Sequence, residues 1–168
     1  MVITDVIKKA IRMEEDGYNF YKKAEGCTKD KFGKLMYSSL AEFEVQHKKY
    51  LEALLKNITP KASELERPLP KDRLKSIFAA AGGDVCERVP PTAGDVEALT
   101  LAMGKETESY ELYKAAAKSA AEPDVKALFE RIAKEENQHY EILEQTRYYL
   151  EQYSNWSIWE EGGPIEGG

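Results

Sequence analysis

Several residue types are scarce in this sequence, and each scarcity excludes a class of protein. Only two cysteines occur, Cys27 and Cys86. They form no C-x-x-C pair, so no cysteine-rich metal module is present. They read as free thiols of a reducing, cytoplasmic compartment. Basic residues are outnumbered, 24 against 30 acidic, for a net charge of −6. Phosphate binding needs a basic face, so no nucleic-acid partner is expected. No apolar run reaches the roughly 18 residues that a membrane span needs. The first ten residues lack the apolar core and small-residue cleavage site of a secretory signal. No alternating apolar pattern is long enough for a sheet. Histidine is as scarce as cysteine, with two copies, His47 and His139.

What is present is helical periodicity. Four long segments carry apolar residues at three- and four-residue spacing. They run from about Thr4 to Gly26, from Lys31 to Asn57, onward from Thr92-Ala93-Gly94-Asp95, and onward from Pro123. The Thr92/Asp95 spacing resembles a capping box, and Pro123 suits a first helical turn. A few residues join the first pair and a few join the second, which makes antiparallel neighbours. Between the pairs lies a crossover, 58–94, rich in proline (Pro60, Pro68, Pro70, Pro90, Pro91). Within it, Asp72–Ala81 predicts a short helix stopped by Gly82-Gly83. The reading is an all-α four-helix bundle over 1–153 with a tail at 154–168. The aromatics of the chain's end (Tyr148, Tyr149, Tyr153, Trp156 and Trp159) predict a homodimer contact.

The chain also repeats itself. A shift of 92 residues lays Glu14 on Glu106, Tyr18 on Tyr110, Tyr21 on Tyr113, Glu44 on Glu136 and His47 on His139. One helical hairpin occurs twice, so the fold is expected to carry a pseudo-two-fold axis.

Both histidines sit three residues after a glutamate, in Glu44-Val45-Gln46-His47 and Glu136-Asn137-Gln138-His139. Positions i and i+3 share a helix face, so each pair can offer a carboxylate and an imidazole to one metal ion. With glutamate at about one position in seven, both histidines gain that partner by chance about 2% of the time. Glu14 and Glu106 supply a matching carboxylate from the other two helices, each within an apolar stripe. A buried, unpaired carboxylate costs several kcal/mol. Two divalent ions would cancel the four negative charges. The expected ligands are Glu14, Glu44, His47, Glu106, Glu136 and His139. Carboxylate and imidazole suit iron, and also manganese or zinc.

Neighbouring positions carry further expectations. Tyr21 and Tyr113, two turns after Glu14 and Glu106, are expected to hydrogen-bond ligand carboxylates and to take part in catalysis. Tyr18 and Tyr110 face either the metals or an interface. Gly17 and Ser109 leave space above the metals or permit close helix packing. Glu15, Asp16, Glu42, Glu108, Glu111 and Glu135 are expected to face solvent.

The segments Arg12–Tyr21, Leu40–His47, Lys105–Tyr113 and Ile132–His139 resemble the rubrerythrin branch of the ferritin-like superfamily. The resemblance covers roughly residues 5–150. It implies a non-haem di-iron centre that reduces hydrogen peroxide or dioxygen, and it implies dimers, in some relatives with exchanged helices. Two departures stand out. Rubrerythrin proper carries a rubredoxin-like site with two C-x-x-C pairs, absent here, so electrons are expected from an external donor, rubredoxin-like or a flavoprotein. It also has an extra metal-binding glutamate one turn after the third-helix glutamate, where this chain has Ser109. That departure brings the site closer to a ferroxidase. An iron-binding protein without peroxide turnover, or a structural metal bundle, is the alternative reading.

Overall fold

The computed structural model describes residues 3–81 and 91–153. Its helices are α1 (Ile3–Cys27), α2 (Lys31–Leu55), α3 (Pro70–Ala81), α4 (Ala93–Ser119) and α5 (Pro123–Tyr153), with one 3-10 turn at Ala62–Glu64. No strand occurs among the described residues. No helix there is long and apolar enough to cross a membrane.

Local chemistry sets the ends. Asp30, in extended conformation, caps α2 by accepting from the backbone N–H groups of Phe32 (2.8 Å) and Gly33 (3.1 Å), satisfying donors that the first turn leaves free. Thr92 and Asp95 form the expected reciprocal capping box on α4. The end of α2 comes two residues before the expected Asn57. Asn57 instead turns left-handed, φ 57°, and Ile58 N–H bonds back to the carbonyl of Ala53 at 2.9 Å, a turn that asparagine tolerates better than most residues. Pro70 extends α3 two residues upstream of the expected start, since the first helical turn needs no proline N–H. Gly82-Gly83, Cys86, Pro90, Trp156, Trp159 and the tail 154–168 lie outside the described residues.

Contacts are most extensive within the hairpins α1–α2 and α4–α5. Side chains sort into two apolar clusters. One holds Tyr21, Met36, Leu40, Leu99, Met103 and Ile142; the other holds Ile7, Leu51, Tyr113, Leu128, Phe129 and Ile132. Following the chain from cluster to cluster gives the topology. Helices α1 and α5 run from the second cluster to the first, and α2 and α4 run the opposite way. Parallel α2 and α4 demand a connection spanning the bundle, which is the work of the crossover that carries α3. Leu74 of α3 is buried in the first cluster, and α3 packs on α2 and α5. This is the ferritin-like arrangement. Each helix also carries a polar turn between its two apolar stretches, so the acidic residues form a layer sandwiched between the clusters.

Candidate metal centre

Glu14 of α1, Glu44 and His47 of α2, Glu106 of α4, and Glu136 and His139 of α5 all lie in that layer. All six are buried, and both imidazoles are 0% exposed. They form two overlapping quartets. One is Glu14, Glu44, His47 and Glu136; the other is Glu44, Glu106, Glu136 and His139. Within each, the candidate ligand atoms lie within 4.8 Å of one another. Glu44 and Glu136 belong to both.

The imidazoles turn the same edge inward. His47 Nδ1 lies 2.7 Å from Glu136 Oε1 and 3.4 Å from Glu14 Oε2. His139 Nδ1 lies 3.4 Å from Glu106 Oε2 and 3.7 Å from Glu44 Oε1. The rings face each other at 5.9 Å. Tyr113 donates its hydroxyl to Glu14 Oε1, and Tyr21 donates to Glu106 Oε1. Each expected tyrosine thus reaches the carboxylate of the other hairpin, not the one on its own helix. Glu14 Oε2, His47 Nδ1, Glu106 Oε2, Glu136 Oε1 and His139 Nδ1 make no well-directed hydrogen bond, the 2.7 Å approach of His47 Nδ1 to Glu136 Oε1 included. Buried polar atoms are rarely left so. Oxygen and imidazole donors converging from four helices, with their inner atoms left without directed partners, fit a pair of divalent ions.

Without metal, protons must do part of the charge balancing. Burial, reinforced by Glu14 and Glu136, pushes the Glu44 carboxyl well above its usual value. Burial and the nearby Glu136 push Glu106 to about 8. Burial alone would lower His139, but Glu106 and Glu136 outweigh it and hold the imidazole at about 9. His47 is raised for the same reason, by Glu136 and Glu14. Burial also raises Tyr21 and Tyr113, with Glu106 and Glu14 adding to it, so both phenols stay protonated.

One expectation needs correction. Glu135 does not face solvent; it is 0% exposed. Burial would raise its carboxyl, yet His47, Arg67 and Arg131 hold it down at about 2. It accepts from His47 Nε2 at 2.7 Å and from Arg131 Nε at 2.6 Å, and Arg67 bonds it as well. The other five of that group, Glu15, Asp16, Glu42, Glu108 and Glu111, are exposed. Gly17 permits close packing: the heavy atoms nearest a Cβ there belong to the Glu44 side chain of α2, with Cδ at 3.3 Å, so the missing side chain makes room for Glu44. Ser109 is buried, at 9% exposure. Tyr18 lines a groove between α1 and α2 that reaches Glu14 and Glu44 past Glu15 and Lys48. Tyr110 is half-buried over Lys114. Tyr148 is exposed and edge-on to Tyr149.

Arg67, Arg131 and Glu135 are what sequence reasoning missed. One signal was available: the 92-residue repeat sets Glu135 against Phe43, so the halves differ beside the histidines. The family model described as Rubrerythrin matches residues 5–147. No curated protein and no solved structure matches the chain at a significant level.

Proposed function

The chain belongs to the rubrerythrin family, and from that premise we propose a non-haem di-iron oxidoreductase that reduces hydrogen peroxide or dioxygen with electrons from an external donor. The observation that carries the reading is the pair of overlapping carboxylate–imidazole quartets with their inner atoms unpartnered. Glu14 and His47 would hold one ion and Glu106 and His139 the other, with Glu44 and Glu136 available to both. A ferrous pair held there would supply the two electrons that, with two protons, convert peroxide into two waters. The residues do the rest. Tyr113 and Tyr21 each occupy one oxygen of Glu14 and Glu106, so that the other oxygen is turned to the centre. The two apolar clusters keep bulk water from the layer. The groove beside Glu14 and Glu44 is the route by which peroxide enters.

Anaerobic titration of the diferrous protein with peroxide tests the proposal. One peroxide should oxidise both irons of a chain, and a supplied reductant should sustain turnover. An iron form inert to peroxide and oxygen would overturn it. Ser109 favours a second reading. It stands where the resemblance calls for an extra carboxylate and leaves a symmetric six-residue set suited to ferrous oxidation itself. Iron uptake well beyond two per chain would select that reading.

A further inference from the structure

We propose that Glu135 is a positioning residue that makes the two metal positions unequal, so that the position served by His47 fills before the one served by His139. The inference rests on the metal-centre reading above and extends it to the order of loading.

The quartets match under the 92-residue repeat, but what lies behind each imidazole does not. Behind His47, the Glu135 carboxylate sits 2.7 Å from Nε2. A carboxylate can only accept there, so Nε2 carries the proton and the Nδ1 lone pair is committed to the centre. Glu135 is itself fixed. Arg131 Nε donates to Oε1 at 2.6 Å, and Arg67 bonds Oε2. Arg67 is held in turn: its carbonyl accepts from Arg131 Nη2 at 2.6 Å, and its guanidinium lies 4.6 Å above the Phe43 ring. Two guanidinium groups hold the Glu135 carboxylate in a fully buried place.

Behind His139 the equivalent position is Phe43. Its ring meets His139 edge-on at 5.3 Å, and His139 Nε2 has no hydrogen-bond partner. Among the described residues, none bonds this nitrogen to select the tautomer or sets a carboxylate behind the ring. An imidazole hydrogen-bonded to a carboxylate is a stronger, better-oriented ligand, and loss of such an outer partner typically costs 10–100-fold in metal affinity. The same factor should separate the two positions. Arg67 belongs to the crossover between α2 and α4, so a segment outside the repeated hairpins contributes to the asymmetry.

Cobalt(II) titration of the metal-free full-length protein, followed by visible absorption against a competing chelator, tests this. The unaltered chain should bind in two steps at least tenfold apart. His139→Ala should keep the tighter step, and His47→Ala should keep only the weaker. Glu135→Gln retains size and a carbonyl acceptor, so the tighter step alone should weaken, about 10–100-fold, and the steps should converge. The histidine variants decide the order even if Glu135→Gln does not fold. Two equal steps in the unaltered chain, or loss of the tighter step in His139→Ala, would overturn the inference while leaving the metal centre standing. No cobalt binding at all would sink both.

Discussion

Replacing Gly17 with alanine should separate the stability of the fold from the quality of the metal site. Gly17 lies inside α1 and is buried. Alanine there gains about 1 kcal/mol of helix propensity, and its buried methyl adds a contribution of the order of 0.8 kcal/mol. The opposing contact falls on one side chain. The new Cβ would stand 3.3, 3.4 and 3.5 Å from Glu44 Cδ, Oε2 and Cγ, where carbon contacts are comfortable at about 3.5–4.0 Å. In the metal-free protein Glu44 can retreat by a few tenths of an ångström at little cost. With metal it cannot, because ligand distances tolerate only about 0.2 Å and Glu44 belongs to both quartets. Calorimetry in chelator should therefore show a midpoint about 4–7 °C higher for Gly17→Ala. Equilibrium titration should show metal affinity lower by about tenfold, near 1.4 kcal/mol. If the variant binds metal as tightly as the unaltered chain, the placement of Glu44 against Gly17 is wrong. If the metal-free form is also destabilised, the contact is not the soft one inferred here.

Other perturbations follow from the same geometry. Tyr21→Phe leaves Glu106 Oε1 without its donor, and should weaken metal binding about 10–100-fold while circular dichroism stays helical; unchanged affinity would remove the tyrosine's role. Metal-free stability should fall as pH rises from about 6 to 9. Glu106 and His139 are raised to about 8 and about 9 in the folded chain, so their stabilisation is complete below the unfolded values and lost as pH climbs through the folded ones. Bound metal replaces those protons, so denaturation of the loaded protein should show a flatter profile; identical profiles with and without metal would contradict this. Ser109→Glu adds a carboxylate one turn from Glu106 and should change the rate of diferrous oxidation at least tenfold, about 1.4 kcal/mol in the barrier, with two metals still bound. Equal rates in stopped flow would mean that position 109 does not face the centre.

The bundle was legible because its signals are local. Helix spacing, the Thr92/Asp95 box and Pro123 act within a turn or two of themselves, and the repeat carried the pairing of the hairpins. The six buried acidic and imidazole residues were legible because they interrupt apolar stripes at matched positions. Glu135 was not, for a geometric reason. Adjacent to Glu136 on α5, it points about 100° away around the helix, the direction that helical periodicity assigns to solvent. It is buried only because His47 of α2 and Arg67 of the crossover arrive there, and a lone sequence does not announce a contact 68 or 88 residues distant. The partner of Gly17 was not legible for a similar reason, since the carboxylate that needs its space comes from α2. Tyr21 and Tyr113 were expected to bond ligand carboxylates, but the exchange between hairpins appears only once α1 and α4 are packed together.

The central claim is that these six side chains hold two metal ions per chain. Counting ferrous ions bound per chain under anaerobic conditions, in the unaltered protein and in Glu44→Ala and Glu136→Ala, tests it most directly. The account predicts two tightly bound ions in the unaltered chain and fewer than two in each variant, because each removes a carboxylate common to both quartets. One ion or none in the unaltered chain, or two in both variants, would contradict it.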